Sequence, residues 1–156
     1  MPTRDQILES LGYPLDRLRP GGTLFDPLAI DGTTVYVSGH VPFDGDELMY
    51  KGKVPSQVSV EDAKKAAALC TANILRAVRN ELGSLDHITR VVRITGFVNS
   101  DANFTEQHIV MNGASKLVRE VFGDAGRHAR SALGMAQLPL GVAVEVEMIL
   151  QCDERR

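Results

Sequence analysis

The sequence predicts an α+β fold in two layers: a mixed sheet of five or six strands with two long helices on one of its faces. Three patterns carry that expectation. Two long runs place apolar residues three and four apart, several shorter runs alternate apolar and polar residues, and glycine-containing turn signals punctuate them. The chain has 156 residues, a length that suits a single core, since domains most often hold about 100–150 residues.

Taken in order, Thr3 is placed to cap a short helix over residues 4–11 that Gly12 ends, and residues 13–22, with two Pro and two Gly, read as a linker. Residues 1–21 are therefore expected to be a peripheral arm, and residues 22–152 the single folded domain. Residues 24–30 and 33–38 flank Asp31-Gly32, a two-residue hairpin signal because both residue types tolerate positive φ. Residues 42–52 read as an acidic, glycine-containing loop bordering a site, with a short strand near Lys53-Val54. Ser59 caps the clearest helix, which has acids in its first turn, a stripe through Ala63, Ala66, Ala67, Cys70, Ile74, Val78 and Leu82, and Gly83 at its end. Residues 88–98 form a strand with Val92, Ile94 and Val98 on one face and Val91 and Phe97 on the other. A second helix over 106–122 has its stripe at Val110, Ala114, Leu117, Val121 and Phe122, with Gly123 as the stop. The order is ββ(β)αβαββ. Two helices cover only one face of such a sheet, and its partly apolar second face calls for a partner, most economically another copy of the chain.

The C-terminal run from Arg127 to Met148 carries the chemistry. Leu138-Pro139-Leu140-Gly141 interrupts two alternating runs, so the segment reads as a hairpin. Symmetric closure pairs Gln137 with Val142, Gly134 with Glu145 and Ala132 with Glu147, and puts Arg130 on the carboxylate face, roughly 13 Å along the strands from Glu145. Between them lie only Ala132, Gly134, Ala136 and Ala143, a floor of very small side chains. That face reads either as the base of a shallow polar cavity or as a solvated sheet surface with ordinary charges.

The run Arg130-Ser131, then Leu138-Pro139, then Val144-Glu145-Val146-Glu147 resembles the C-terminal signature of the reactive intermediate deaminase (Rid, or YjgF) family, also labelled L-PSP endoribonucleases. Upstream, Val37-Ser38-Gly39-His40-Val41-Pro42 resembles the family's early strand and turn. Asn73 and Gly83 fall where its first long helix and cap lie, and Phe104 with Asn112 is similar to the start of its second helix. The likeness covers residues 22–151, and the longer second helix with Gly126-Arg127-His128-Ala129-Arg130-Ser131-Ala132 looks like a divergent branch. It implies a chorismate-mutase-like fold and a homotrimer with sites between subunits. The implied reaction is hydrolysis of 2-imino or 2-enamino acids to 2-oxo acids and ammonia, with no cofactor.

In that reading Arg130 grips the substrate carboxylate with two parallel hydrogen bonds, which a lysine could not supply, and Glu145 positions and deprotonates the attacking water. Phe25, Ser38, Gly39, Asn112 and Ala132 are the implied substrate-binding positions. Gly39 permits close approach, Ser38 is either a polar contact or a strand residue, and Asn112 either a site amide or a helix-surface one. Phe25 stands where many members have tyrosine, Ala132 where cysteine is common and His40 where glutamine is usual, which leaves substrate preference open. His40 and His128 read as structural or catalytic, and Glu147 as an interface or salt-bridge residue. A module that merely binds small carboxylates and an RNA-cleaving enzyme are the alternatives.

Composition weighs on these. A formal net charge of −3 with 5% aromatic residues and no Trp gives neither the basic stripe nor the stacking platform of nucleic-acid binders. No apolar run approaches a membrane span and no leader pattern opens the chain, so a cytoplasmic location is expected. Cys70, Cys152 and the four dispersed histidines lack ligand spacing, so no metal site is expected.

Overall fold

The computed structural model describes residues 1–19 and 21–154; Pro20, in the expected linker, lies outside the described residues. The elements are α1 (Arg4–Ser10), β1 (Leu28–Asp31), β2 (Thr34–His40), β3 (Phe43–Asp44), β4 (Glu47–Leu48), α2 (Val60–Leu82), β5 (Ile88–Asn99), α3 (Gln107–Phe122), β6 (Ala129–Met135) and β7 (Val144–Cys152). A five-stranded sheet has the order β1-β2-β7-β5-β6, and β3 and β4 form a small ribbon of their own. Only β5 and β6 run parallel within the large sheet, because α3 carries the chain back between them. The expected short strand at residues 53–54 is reduced to an isolated bridge from Val54 to Ser100.

Both long helices follow their sequence signals. Ser59 accepts from the Asp62 amide at the start of α2, Gly83 ends it at φ 88°, and every residue of the expected stripe is buried. The two helices pack side by side over one sheet face, where Val144, Val146, Met148 and Leu150 of β7 and Val91, Ile94 and Val98 of β5 complete the core. At the far end Thr3 and Gln6 close a reciprocal capping box on α1. Leu8 of α1 is fully buried and Asp5 accepts from the Leu85 amide, so the arm is stitched to the domain at this point. No helix among the described residues is long and apolar enough to cross a membrane.

Two expectations are corrected. The last two strands are not a hairpin: β5 lies between them, and the link over residues 136–143 crosses the end of β5 instead of turning back on β6. That crossing is secured by the buried Asn99, whose amide donates to the Ala143 carbonyl at 2.8 Å while its side-chain nitrogen donates to that of Val142 at 3.1 Å. The faces of β5 also differ from strict alternation. Register shifts between Ile88 and Arg90 and between Val91 and Arg93 put both Val91 and Ile94 into the core and turn Val92 away from it.

Candidate functional site

Because paired residues project from the same side of a sheet, the register fixes where the two central residues of the predicted site lie. Ile94 is opposite both Arg130 and Met148, whereas Phe97 is opposite both Leu133 and Glu145. Positions 94 and 97 point oppositely, so Arg130 lies on the helix-covered face and Glu145 on the open one. This overturns the expectation of a shared face within one chain, and its physical cause is the register across the intervening strand, which sets Glu145 level with Leu133 where a hairpin would set it level with Gly134. The site is present as two separate clusters.

The first cluster sits where the edge strand β6 meets α3. Arg130 Nη1 donates to Asn112 Oδ1 at 3.0 Å and to Ser115 Oγ at 3.2 Å, and Nη2 donates to the His108 carbonyl at 3.2 Å. All three acceptors are neutral, and among the described residues no carboxylate pairs with this guanidinium. Partial burial lowers its pKa from the usual arginine value, which does not discharge a group of such high basicity. The cluster is therefore a fixed positive charge with no counter-charge of its own. Ala132 follows on the same face, against the core, two residues further along β6.

Sequence reasoning named Asn112 but missed Ser115 and the His108 carbonyl. The signal was present: positions 108, 112 and 115 fall at i, i+4 and i+7 of one helix, and so share a face. His128 belongs here as well, with Nε2 2.9 Å from Ser115 Oγ and Nδ1 2.7 Å from the Gly126 carbonyl.

The second cluster is built at the irregularity of β2, where pairing with β7 shifts between Val37 and His40. A Cβ added at Gly39 would lie 2.9 Å from Glu145 Oε1, so the carboxylate rests directly on the glycine backbone. Burial raises the Glu145 pKa above the ordinary carboxylate value, and the neighbouring Glu147 charge raises it further. Ser38 donates to the Asp26 carbonyl at 2.7 Å, tying β2 to the segment that carries Phe25. Phe25, Ser38, Gly39 and His40 line a cleft of 330 Å³ whose other wall is Asn73 and Asn80 of α2. His40 Nδ1 lies 2.7 Å from the Ser38 carbonyl, and burial holds this imidazole below the usual histidine pKa. Neither Glu145 nor Arg130 lines the cleft.

The chemistry divides accordingly. One cluster can bind a carboxylate; the other can accept a proton beside a small-residue surface.

Comparison with known proteins agrees with this architecture. A family model described as "YjgF/chorismate mutase-like, putative endoribonuclease" matches residues 9–150. Protein TCP17 of Trypanosoma cruzi is 38% identical over 147 residues, covering 94% of this chain and 92% of that protein. The crystal structure of Atu1372 from Agrobacterium tumefaciens, a protein of unknown function, superposes with a TM-score of 0.89 at 41% identity, over 97% of this chain and 92% of that one. A structure named as a putative endoribonuclease from Shewanella oneidensis MR-1 gives a TM-score of 0.91 at 27% identity, over 96% of this chain and 99% of that one. With a match that spans nearly the whole folded body, the chain belongs to the YjgF/chorismate mutase-like family.

Proposed function

We propose that the protein hydrolyses small 2-imino or 2-enamino acids to 2-oxo acids and ammonia, without a cofactor, at sites completed between copies of the chain in a homotrimer. One observation supports this above the rest. Arg130 is an oriented cation whose three protein contacts are all neutral, so it is the natural seat for a substrate carboxylate.

Because Glu145 lies on the other sheet face, a substrate held by Arg130 of one copy meets Glu145 and Gly39 of the next. Glu145 takes a proton from water as the oxygen bonds to the imine carbon, the C=N pair moves onto nitrogen, and the Glu145 carboxyl returns that proton to the nitrogen. The resulting carbinolamine gives its hydroxyl proton to Glu145, which passes it to the amine, so that the C–N bond breaks with release of ammonia as the carbonyl forms. The overall change is an imino acid and water giving a 2-oxo acid and ammonia. The raised Glu145 pKa favours this role, since a base gains strength as its pKa approaches the working pH. Phe25 supplies a ring at the cleft without a phenolic hydroxyl, and Ala132 offers a backbone carbonyl on an edge strand.

Ammonia and 2-oxo acid release from freshly generated imino acids, small to aromatic, tests the reading. Arg130→Ala is expected to lose roughly 100-fold or more in kcat/KM, the loss of two charge-assisted hydrogen bonds. Glu145→Gln is expected to lose roughly 10²- to 10⁴-fold in kcat while carboxylate binding survives. No acceleration with any imine would instead favour a carboxylate-binding module, which needs the Arg130 cluster alone. RNA cleavage draws no support from a net charge of −3.

A further inference from the structure

Two hydrogen bonds link Arg130 to an imidazole with which it makes no hydrogen bond. Arg130 Nη1 is 3.2 Å from Ser115 Oγ, and Ser115 Oγ is 2.9 Å from His128 Nε2. The other ring nitrogen, Nδ1, is 2.7 Å from the Gly126 carbonyl. A carbonyl only accepts, so Nδ1 carries a proton, and in the neutral ring Nε2 is then an acceptor. A guanidinium only donates. The Ser115 hydroxyl consequently has one arrangement that serves both neighbours: it accepts from Arg130 and donates to His128. The donors run in a single direction, from Arg130 through Ser115 to His128, and onward to a backbone carbonyl.

The geometry points to Ser115 and His128 as positioning residues for the substrate-binding arginine, with neutral His128 orienting the Ser115 hydroxyl and so fixing the plane in which Arg130 presents its free N–H groups. This rests on the carboxylate-binding reading of Arg130. Asn112 and the His108 carbonyl hold the guanidinium from the same helix, but only the Ser115 arm ends on a titratable group. Protonation of His128 would turn Nε2 into a donor. The serine oxygen would then receive N–H groups from both sides, and its own proton would have to find another acceptor.

Arg130 and Arg127 flank the histidine in sequence, Arg119 and His108 share the α3 face with Ser115, and the nearby Asp124 is paired with Arg127 at 3.4 Å. The hydrogen-bond directions make the neutral, oriented ring the form that serves Arg130, and its protonation should loosen carboxylate binding without touching the chemical step.

The test uses Ser115→Ala, His128→Ala, His128→Gln and Arg130→Ala, with pyruvate as a stable carboxylate probe in calorimetry and imine turnover followed across pH. Ser115→Ala and His128→Ala are expected to raise KM and the pyruvate Kd roughly 3- to 10-fold, the worth of one positioning hydrogen bond, with kcat close to that of the natural protein. His128→Gln places an amide oxygen near the former Nε2, so it should restore KM and abolish the rise of KM on the acid side. Nitrogen NMR of the ring should show the Nδ1–H tautomer, with the Nε2 resonance displaced in Ser115→Ala. An unchanged KM in Ser115→Ala, or an acid-side rise that persists in His128→Gln, would overturn the inference. Should Arg130→Ala bind pyruvate as the natural protein does, the carboxylate-binding reading itself fails. If Arg130→Ala alone loses binding, only the positioning roles fail.

Discussion

Glu145 is a carboxylate that the fold holds at a cost in stability. Burial and the neighbouring Glu147 hold its pKa above the carboxylate's ordinary value, so between the unfolded and folded pKa values the folded chain keeps a proton that the unfolded chain has released. Stability contributed by this group is present at acid pH and is lost as pH rises from the unfolded value through the folded one; above both, the cost of the buried charge is complete. Glu145→Gln is isosteric and uncharged. It should melt at a higher temperature than the natural protein at neutral pH, and the difference should shrink towards zero as pH falls through the carboxylate range. Thermal melts of both proteins at a series of pH values check this, and a Glu145→Gln protein that is less stable at neutral pH would contradict the desolvation account. At this scale much of the site could be read in the sequence. The structure brings Asn112 to Arg130 and Gly39 to Glu145, but as two clusters on opposite sheet faces, because residue type limits what a side chain can do and says nothing of which strand lies between. Ser115 was missed because a serine inside a helix is usually structural, and its contact with Arg130 emerges only from the strand packed beside it.

Among the elements, α3 joins the core to the Arg130 cluster through one glycine. A Cβ at Gly113 would lie 2.1 Å from the Lys64 carbonyl oxygen, so α2 and α3 touch backbone to side chain-less backbone. Backbone cannot swing aside as a long side chain can, so Gly113→Ala must push the helices apart. A destabilisation of about 1–3 kcal/mol is expected from overpacking, read as a lower urea midpoint. Asn112 and Ser115 stand on either side of this contact, so a displaced α3 should also weaken carboxylate binding by Arg130. Both long helices could be placed from sequence because their periodicity is local and their caps, Ser59, Gly83 and Gly123, are local too. The strand partners could not. A short turn between two alternating runs resembles a hairpin whether the strands pair with each other or with a third between them, and the choice of β5 is made by long-range packing. The bulges in β5 were equally hidden, since one extra residue reverses the faces without altering composition.

For the molecule as a whole, the proposed trimer would account at once for the uncovered sheet face and for the separation of Arg130 from Glu145. Tyr36 and Leu133 are 48% and 43% exposed on that face, beside Phe97 and Ile149, a surface that calls for a partner. The same face holds Glu145, while Arg130 lies behind it at the edge strand. A heterologous ring of identical chains brings the back of one copy to the front of the next, which a two-fold dimer need not do. If each site takes Arg130 from one chain and Glu145 from its neighbour, two inactive variants can repair each other. Arg130→Ala and Glu145→Gln subunits, denatured and refolded together in equal amounts, should form some sites with both natural residues. With random assembly about a quarter of the sites satisfy both requirements, so roughly a quarter of natural activity should return. Each variant refolded alone should stay inactive. A site confined to one chain predicts no recovery at any mixing ratio, because every subunit would carry its own defect. Sedimentation of the mixture, alongside the activity, shows whether the refolded subunits have assembled and so assigns a failed recovery to the site and not to refolding.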